Sequence, residues 1–267
     1  MNWLLLRGLS REKRHWGNFS NLLAESSVGG RVIGLDLPGA GSEHLRASPD
    51  SISGIAEDLR QRWLRIREDQ PGPWGVIAIS MGGMIAMDWC SRFPHDFSAA
   101  VLINSSAANL GRPLERVRPR ALFTAISLLG QPDLQRRELG ILKLTTRLRE
   151  TEVESISKRW ASFAVEYPVS AATAFTQIMA ASKFNAPSTL SVPLLVISGA
   201  GDLFTAPVCS DRLAKKYNAK HVVHPSAGHD LPLDAPEWMV SQISNWLESL
   251  TFRADSAANH SFLSISR

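Results

Sequence analysis

The sequence predicts an α/β domain with a mostly parallel sheet of about six strands flanked by helices. Short apolar segments occur at residues 3–6, 31–36, 74–79, 97–103, 193–198 and 220–224. Each is long enough for a buried strand and too short for a helix. Segments with apolar residues at helical spacing separate most of them, and such alternation is typical of βαβ units. Turn-forming residues follow several of these segments, as expected at the ends of strands.

The first four strands and their helices can be followed in order. Residues 3–6 form a strand almost at the start of the chain, and a loop then leads to Phe19, Leu22 and Leu23 at helical spacing. The strand at 31–36 ends in a Gly-rich turn, which lacks the residues of a phosphate loop. Asp50 is the expected N-cap of an amphipathic helix. The apolar face of that helix consists of Ile52, Ile55, Leu59, Trp63 and Ile66.

Alternation stops between residues 107 and 190. No strong strand pattern occurs there, and Gly and Pro break the segment into helical stretches. A segment this long is not an ordinary loop, so we expect a helical insertion at 107–190 in a core formed by 1–106 and 191–250. The insertion carries 12 basic against 7 acidic residues. The last helix is expected to end near Leu250, leaving residues 251–267 as a mobile tail.

Composition excludes several classes of protein. The 267 residues are 44% hydrophobic and 20% charged, with a net charge of +4, which is ordinary for a globular domain. No apolar run has the roughly 18–20 residues of a membrane span. The N-terminus lacks a basic region before its short apolar run, so no signal peptide and a cytoplasmic location are expected. Cys90 and Cys209 form no disulfide framework, and no nucleic-acid-binding motif is present.

Ser80 is the first candidate for chemistry. It follows the strand at 74–79 and precedes a segment rich in helix-forming residues, so it lies on a strand-to-helix turn. Ala78 and Gly82, two residues before and after it, are small enough for the sharp turn called a nucleophile elbow. The following helix would direct N–H groups towards an anion near the serine. The form here is A-x-S-x-G, and a serine in an ordinary loop is the competing interpretation.

Asp202 and His229 complete a possible catalytic triad. A serine needs a base to accept its proton and an acid to orient that base. Functional loops gather at the carboxyl ends of parallel strands. Asp202 follows the strand at 193–198, and His229 follows the strand at 220–224. No acid follows the strand at 97–103, where the chain continues with Asn104. The side chain of Asp230 is expected to point away from its neighbour, and His224 is expected to be structural.

These features resemble the α/β-hydrolase superfamily over nearly the whole chain, from Trp3 to Leu250. The resemblance includes the Ser80 elbow, the D-x-P-G-x-G-x-S pattern at 36–42, Gly199-x-x-Asp202 and Gly228-His229. It implies a helical cap at 107–190 and six parallel strands, since the two earlier strands that the family often has are not seen. By resemblance, the oxyanion hole consists of the backbone N–H groups of Leu9 and Met81. Arg7 replaces the family's histidine in the early H-G-x loop.

The resemblance implies a serine hydrolase that cleaves a small carboxylic ester or thioester without a metal or other cofactor. Carbon–carbon bond hydrolases and amidases use the same residues, and a ligand-binding homologue without turnover is the alternative outside enzymes. A dehalogenase would have aspartate at the position of Ser80. Trp160 and Phe163 of the cap are candidates for contact with a small acyl substrate. The chain is expected to be a monomer or homodimer.

Overall fold

A parallel six-stranded sheet forms the centre of the computed structural model, which describes residues 1–129 and 131–263. Its strands are β1 (Asn2–Leu6), β2 (Val32–Leu35), β3 (Trp74–Ile79), β4 (Ala99–Ile103), β5 (Leu194–Gly199) and β6 (Lys220–His224). The strand order is β2-β1-β3-β4-β5-β6, and every neighbouring pair is parallel. The predicted α/β architecture with six parallel strands is therefore confirmed.

Eleven helices accompany the strands in the described part of the chain. They are α1 (Phe19–Glu25), α2 (Ile52–Glu68), α3 (Met81–Arg92), α4 (Pro113–Arg116), α5 (Pro119–Leu129), α6 (Leu134–Thr145), α7 (Glu150–Glu166), α8 (Ala171–Lys183), α9 (Val208–Lys216), α10 (Leu231–Asp234) and α11 (Pro236–Leu263). Helices α4 to α8 all lie between β4 and β5, in the segment expected to be helical. Short 3₁₀ turns occur at Lys13–Trp16 and Gly41–Glu43.

Two helix ends differ from the sequence-based predictions. Helix α2 is capped by Ser51, not Asp50, because the Ser51 side chain accepts a hydrogen bond from Gly54 N at 3.2 Å. A side-chain oxygen in that position satisfies one of the free N–H groups of the first turn. Helix α11 does not end near Leu250 but continues to Leu263. Residues 264–267 of the predicted tail lie outside the described residues.

Side chains of successive strand residues point to opposite faces of the sheet, and both faces are covered by helices. One core contains the side chains that face α2 and α3, with Leu4, Leu6, Val76, Ala78 and Leu102 among its strand residues. The other lies under α1 and α11, with Trp3, Leu5, Ile77, Val101 and Ile197. This burial on both faces explains why the strands appear in the sequence as continuous apolar runs. No helix within the described ranges has the length and apolar character needed to cross a membrane.

Candidate active site

Ser80 forms the turn between β3 and α3. Strand β3 ends at Ile79 and α3 begins at Met81, so one residue makes the connection. Its φ of 56° and ψ of −122° lie in a region that few non-glycine residues adopt. Strained backbone of this kind costs about 1–3 kcal/mol and is typical of functional sites. The Ser80 side chain is partly exposed at the carboxyl end of the sheet.

Close backbone packing explains the small residues after Ser80. A Cβ atom on Gly82 would lie 2.4 Å from the carbonyl oxygen of Leu6, so a side chain there would push α3 away from the end of β1. A Cβ atom on Gly83 would lie 2.6 Å from Ser105 Oγ. That hydroxyl group donates a hydrogen bond to Ser80 O at 2.8 Å. The turn therefore has the sharp geometry that the small residues indicate.

The loop after β1 lies directly against Ser80. A Cβ atom on Gly8 would lie 3.0 Å from Ser80 Cβ, tighter than most such contacts, and 3.5 Å from Ser80 Oγ, so glycine lets the loop approach Ser80 closely. Helix α8 holds this loop from the other side. Ser10 N donates to Gln177 Oε1 at 3.0 Å, and Gln177 Nε2 donates to Pro38 O at 3.2 Å.

Leu9 and Met81, the residues expected to form the oxyanion hole, each directly follow a residue of the Ser80–Gly8 contact in the chain. Leu9 follows Gly8 in the loop after β1, and Met81 is the first residue of α3. Among the described residues, neither backbone N–H group donates to a loop or side-chain acceptor. The first N–H groups of a helix have no partner within the helix, and the helix dipole favours negative charge beside them.

Asp202 and His229 are joined by a hydrogen bond although 27 residues separate them in the chain. His229 Nδ1 lies 2.7 Å from Asp202 Oδ2, and both residues are buried. A carboxylate only accepts hydrogen bonds, so Nδ1 carries the proton and Nε2 is the free nitrogen. Asp202 Oδ1 accepts from Phe204 N at 2.7 Å and Thr205 N at 2.9 Å, which fixes the carboxylate.

Ser80 is not hydrogen-bonded to this pair. Within residues 1–129 and 131–263, no hydrogen bond joins Ser80 Oγ to His229. The loops that carry Ser80, Asp202 and His229 nevertheless follow β3, β5 and β6, whose carboxyl ends lie at one edge of the sheet. Catalytic hydrogen bonds in the absence of substrate are often long and tighten only in the complex.

A model of the alpha/beta hydrolase family matches residues 3–242. The chain belongs to this family. Solved structures with the same fold include an esterase from Exiguobacterium antarcticum, with a TM-score of 0.75 and 15% identity, which covers 93% of this chain and 92% of that chain. Another is a thermophilic esterase from Thermogutta terrifontis, with a TM-score of 0.70 and 20% identity over 93% of this chain and 90% of that one.

One curated relative also aligns with this α/β hydrolase. It is the biotin biosynthesis bifunctional protein BioHC of Teredinibacter turnerae, which is 24% identical over 259 residues. The alignment covers 91% of this chain and 44% of BioHC. The chain therefore spans less than half the length of that bifunctional protein.

Arg7, which by resemblance replaces a histidine of the family's early loop, forms an ion pair that the sequence did not predict. Its Nη2 lies 2.6 Å from Asp230 Oδ2, and its Nη1 lies 3.0 Å from Asp230 Oδ1. Both residues are about 4% exposed. The side chain of Asp230 thus points to Arg7, whereas the neighbouring His229 contacts Asp202. In the sequence, the position of Asp230 next to His229 was the one sign that this carboxylate matters to the site. Its partner Arg7 could not be found in this way, because it lies 223 residues away in the chain.

Trp160 and Phe163 of α7 pack on the loop after β1. The Trp160 ring lies 4.5 Å from the ring of His15 and 4.8 Å from the guanidinium carbon of Arg11. The Phe163 ring lies 5.6 Å from His15 and 4.1 Å from the guanidinium carbon of Arg14. Trp160 is 2% exposed. The Trp160 ring is thus packed against the loop after β1, and contact of Trp160 or Phe163 with an acyl group stays a prediction.

The same contact contains charged side chains. Arg11 Nη1 lies 2.6 Å from Glu138 Oε2 of α6. Burial, followed by the nearby charges of Arg11 and Arg7, holds the pKa of His15 well below its usual value. His15 is therefore neutral near pH 7 and packs against the aromatic rings of α7. In the described part of the chain, no three His, Cys, Asp or Glu side chains are grouped in a way that would hold a metal ion.

Proposed function

We propose that this α/β hydrolase is a serine hydrolase that cleaves a small carboxylic ester or thioester through an acyl-enzyme intermediate. The observation that carries the proposal is the hydrogen bond between His229 Nδ1 and Asp202 Oδ2, at the same sheet edge as the strained Ser80 turn. A hydroxyl group, an acid and a base are the parts of a catalytic triad, and here they follow one another in the chain as serine, aspartate and histidine. The esterases with the same fold agree with this reaction class.

The mechanism assigns one role to each side chain. Ser80 Oγ attacks the acyl carbon while His229 Nε2 accepts its proton, and Asp202 stabilises the imidazolium ion that results. The N–H groups of Leu9 and Met81 bind the oxyanion, where one such donor lowers the barrier by about 3 kcal/mol. His229 then protonates the leaving alcohol or thiol. Water, activated by His229, releases the acid in a second round.

Helices α4 to α8, in residues 107–190, act in this proposal as a cap that supplies the acyl-binding surface. Arg118, just before α5, donates from Nη1 to Asp202 O at 2.9 Å. Gln177 of α8 binds Ser10 in the loop beside Ser80. The start of α5 and the middle of α8 are thus attached to loops of the site. We assign the acyl contact to exposed apolar side chains of α5 and α8, which are Leu122, Phe123, Ile126, Phe175, Ile178 and Met179.

The proposed function is tested by covalent labelling of the nucleophile and by measuring ester and thioester turnover. The protein is incubated with a fluorophosphonate, and the modified peptide is identified by mass spectrometry; we expect modification of Ser80. With p-nitrophenyl esters and acyl thioesters, Ser80→Ala should lower turnover by several orders of magnitude. The matched control is Ser91→Ala, which removes an exposed serine near the end of the same helix. Labelling elsewhere, or a folded Ser80→Ala variant with parental turnover, would exclude the proposed mechanism.

A further inference from the structure

The Arg7–Asp230 ion pair joins the two loops on which the proposed chemistry depends. Arg7 directly precedes Gly8 and Leu9, and Asp230 directly follows His229. The two guanidinium nitrogens face the two carboxylate oxygens at 2.6 and 3.0 Å, a two-bond arrangement that fixes direction as well as distance. The pair therefore connects the loop after β1 to the loop after β6 across the sheet edge.

Further contacts hold the pair in place. Asp230 N donates to Thr145 O, at the end of α6, at 2.8 Å. The guanidinium carbon of Arg7 lies 5.2 Å from the centre of the Trp16 ring. Because both charges are almost completely buried, loss of either partner would leave the other as an uncompensated charge in a poorly solvated place.

An uncompensated carboxylate one residue from His229 would change the chemistry of the histidine. A nearby negative charge favours the imidazolium form, and a nearby positive charge favours the neutral form. His229 already contacts one carboxylate, that of Asp202. A second, unpaired carboxylate nearby would favour the imidazolium form, which cannot accept the proton of Ser80.

We propose that Arg7 neutralises Asp230, so that Asp202 is the carboxylate that governs the protonation of His229. Arg7 and Asp230 are then positioning residues, and this inference rests on the role of His229 in the proposed function. Other charged groups lie on the surrounding elements. They are the same in all the variants compared below, so they cannot cause a difference between those variants. They are Asp202, Arg118, Arg147 and Asp234 near the histidine loop and Arg11, His15 and Glu138 beside Arg7.

The pair can be dissected by its charges. Four full-length variants are compared with the parent: Arg7→Met, Asp230→Asn, the double variant of these two, and Arg7→Lys. The pH dependence of kcat/KM for a p-nitrophenyl ester is measured, because its acidic midpoint reports the essential base of the free enzyme. Near-ultraviolet circular dichroism establishes that each variant is folded.

The expected shifts have opposite signs. Arg7→Met leaves Asp230 unpaired and moves the acidic midpoint up by about one pH unit, whereas Asp230→Asn leaves Arg7 unpaired and moves it down by a similar amount. The double variant returns close to the parent, and Arg7→Lys, which keeps the charge, retains the parental midpoint. A purely structural pair would lower activity in both single variants without these opposite displacements.

Unchanged midpoints, or midpoints that move in the same direction in both single variants, would overturn the inference. If Arg7→Met does not fold, the inference is tested by the other two single variants. Asp230→Asn should move the acidic midpoint, and Arg7→Lys should not. A titration of the His229 ring signals by NMR, assigned with His229→Gln, provides the same midpoints without turnover. Absence of esterase activity in the parent would refute the proposed function. The effect of Arg7 and Asp230 on the protonation of His229 would then be tested by the NMR titration alone.

Discussion

The side chain of Asn104 donates a hydrogen bond from Nδ2 to the carbonyl oxygen of His229 at 2.8 Å. The same amide group donates to Gly228 O at 3.1 Å and accepts from Gly199 N at 3.1 Å. Asn104 follows β4, and it is buried with a φ of 46°, a conformation that asparagine tolerates better than most residues. One amide group thus joins the ends of β4 and β5 to the loop that carries His229.

Replacement of Asn104 by glycine should loosen the histidine loop. Glycine keeps the left-handed backbone but leaves the groups at Gly199, Gly228 and His229 without their partner. Each buried polar group left unpaired costs about 1–3 kcal/mol. We expect the free energy of unfolding in urea to fall by at least about 2 kcal/mol, with a lower kcat in the esterase assay.

Asn218→Gly is the matched control for that change. Asn218 has nearly the same φ, 47°, but it is exposed on the turn after α9. We expect little change in stability or activity, because no buried group depends on it. Equal losses in the two variants would mean that the backbone conformation, and not the hydrogen bonds of Asn104, determines stability.

Asp202→Asn should impair catalysis while keeping the fold. The amide oxygen can still accept from Phe204 N and Thr205 N, but the NH₂ group then faces His229 Nδ1 and favours the wrong tautomer. In a comparable triad this change lowers kcat by about 10⁴-fold. The measurement is kcat for the best p-nitrophenyl ester, with Asp211→Asn on α9 as the control. A nearly active Asp202→Asn variant would show that another acid orients the base.

Acyl-chain selectivity should depend on α8. Phe175 is a 65% exposed apolar side chain of α8, and this helix is attached to the loop beside Ser80 through Gln177. Phe175→Ala should lower kcat/KM more for long acyl chains than for short ones, because loss of an apolar contact of this size costs about 1–3 kcal/mol. The control is Val165→Ala, which removes an exposed apolar side chain of α7. If the two profiles coincide, α8 does not bind the acyl chain.

Asp234 should make stability depend on pH. Its carboxylate accepts hydrogen bonds from Gly228 N and Arg147 N, yet burial raises its pKa to about 6. A raised pKa means that the folded protein binds the proton more tightly than the unfolded chain does. The stability gained from this proton is complete below the ordinary pKa of 3.8 and is lost as the pH rises through 6.

The contribution of Asp234 is measured as a difference. The side chain of Asp234→Asn is neutral at every pH, so this variant does not lose stability with the deprotonation of residue 234. The free energy of unfolding of the variant minus that of the parent should therefore rise by about 2 kcal/mol between pH 4.5 and pH 7.5. Lost hydrogen bonds add an offset that does not depend on pH. Glu150→Gln, at an exposed carboxyl group of α7, is the control and should not show this rise. A difference that stays constant across the range would contradict the assignment.

The sheet and its order of elements could be predicted because local patterns determine them. Apolar runs such as those of β3 and β5 are buried on both faces, and this makes them visible without any partner. Helix ends were less predictable. Ser51 and Asp50 are both good N-caps, and only the position of Gly54 N selects Ser51. The end of α11 lacks an apolar pattern after Leu250, so periodicity could not place it at Leu263.

The sequence by itself determined the α/β fold, the strand-to-helix turn at Ser80 and the candidate roles of Asp202 and His229. These features depend on residue types within short segments and on the rule that parallel strands bring their carboxyl ends to one edge. The partner of Arg7, the role of Asn104 and the burial of Trp160 were decided only by the tertiary structure. Each is a contact between residues far apart in the chain, and its geometry depends on how separate loops and helices pack.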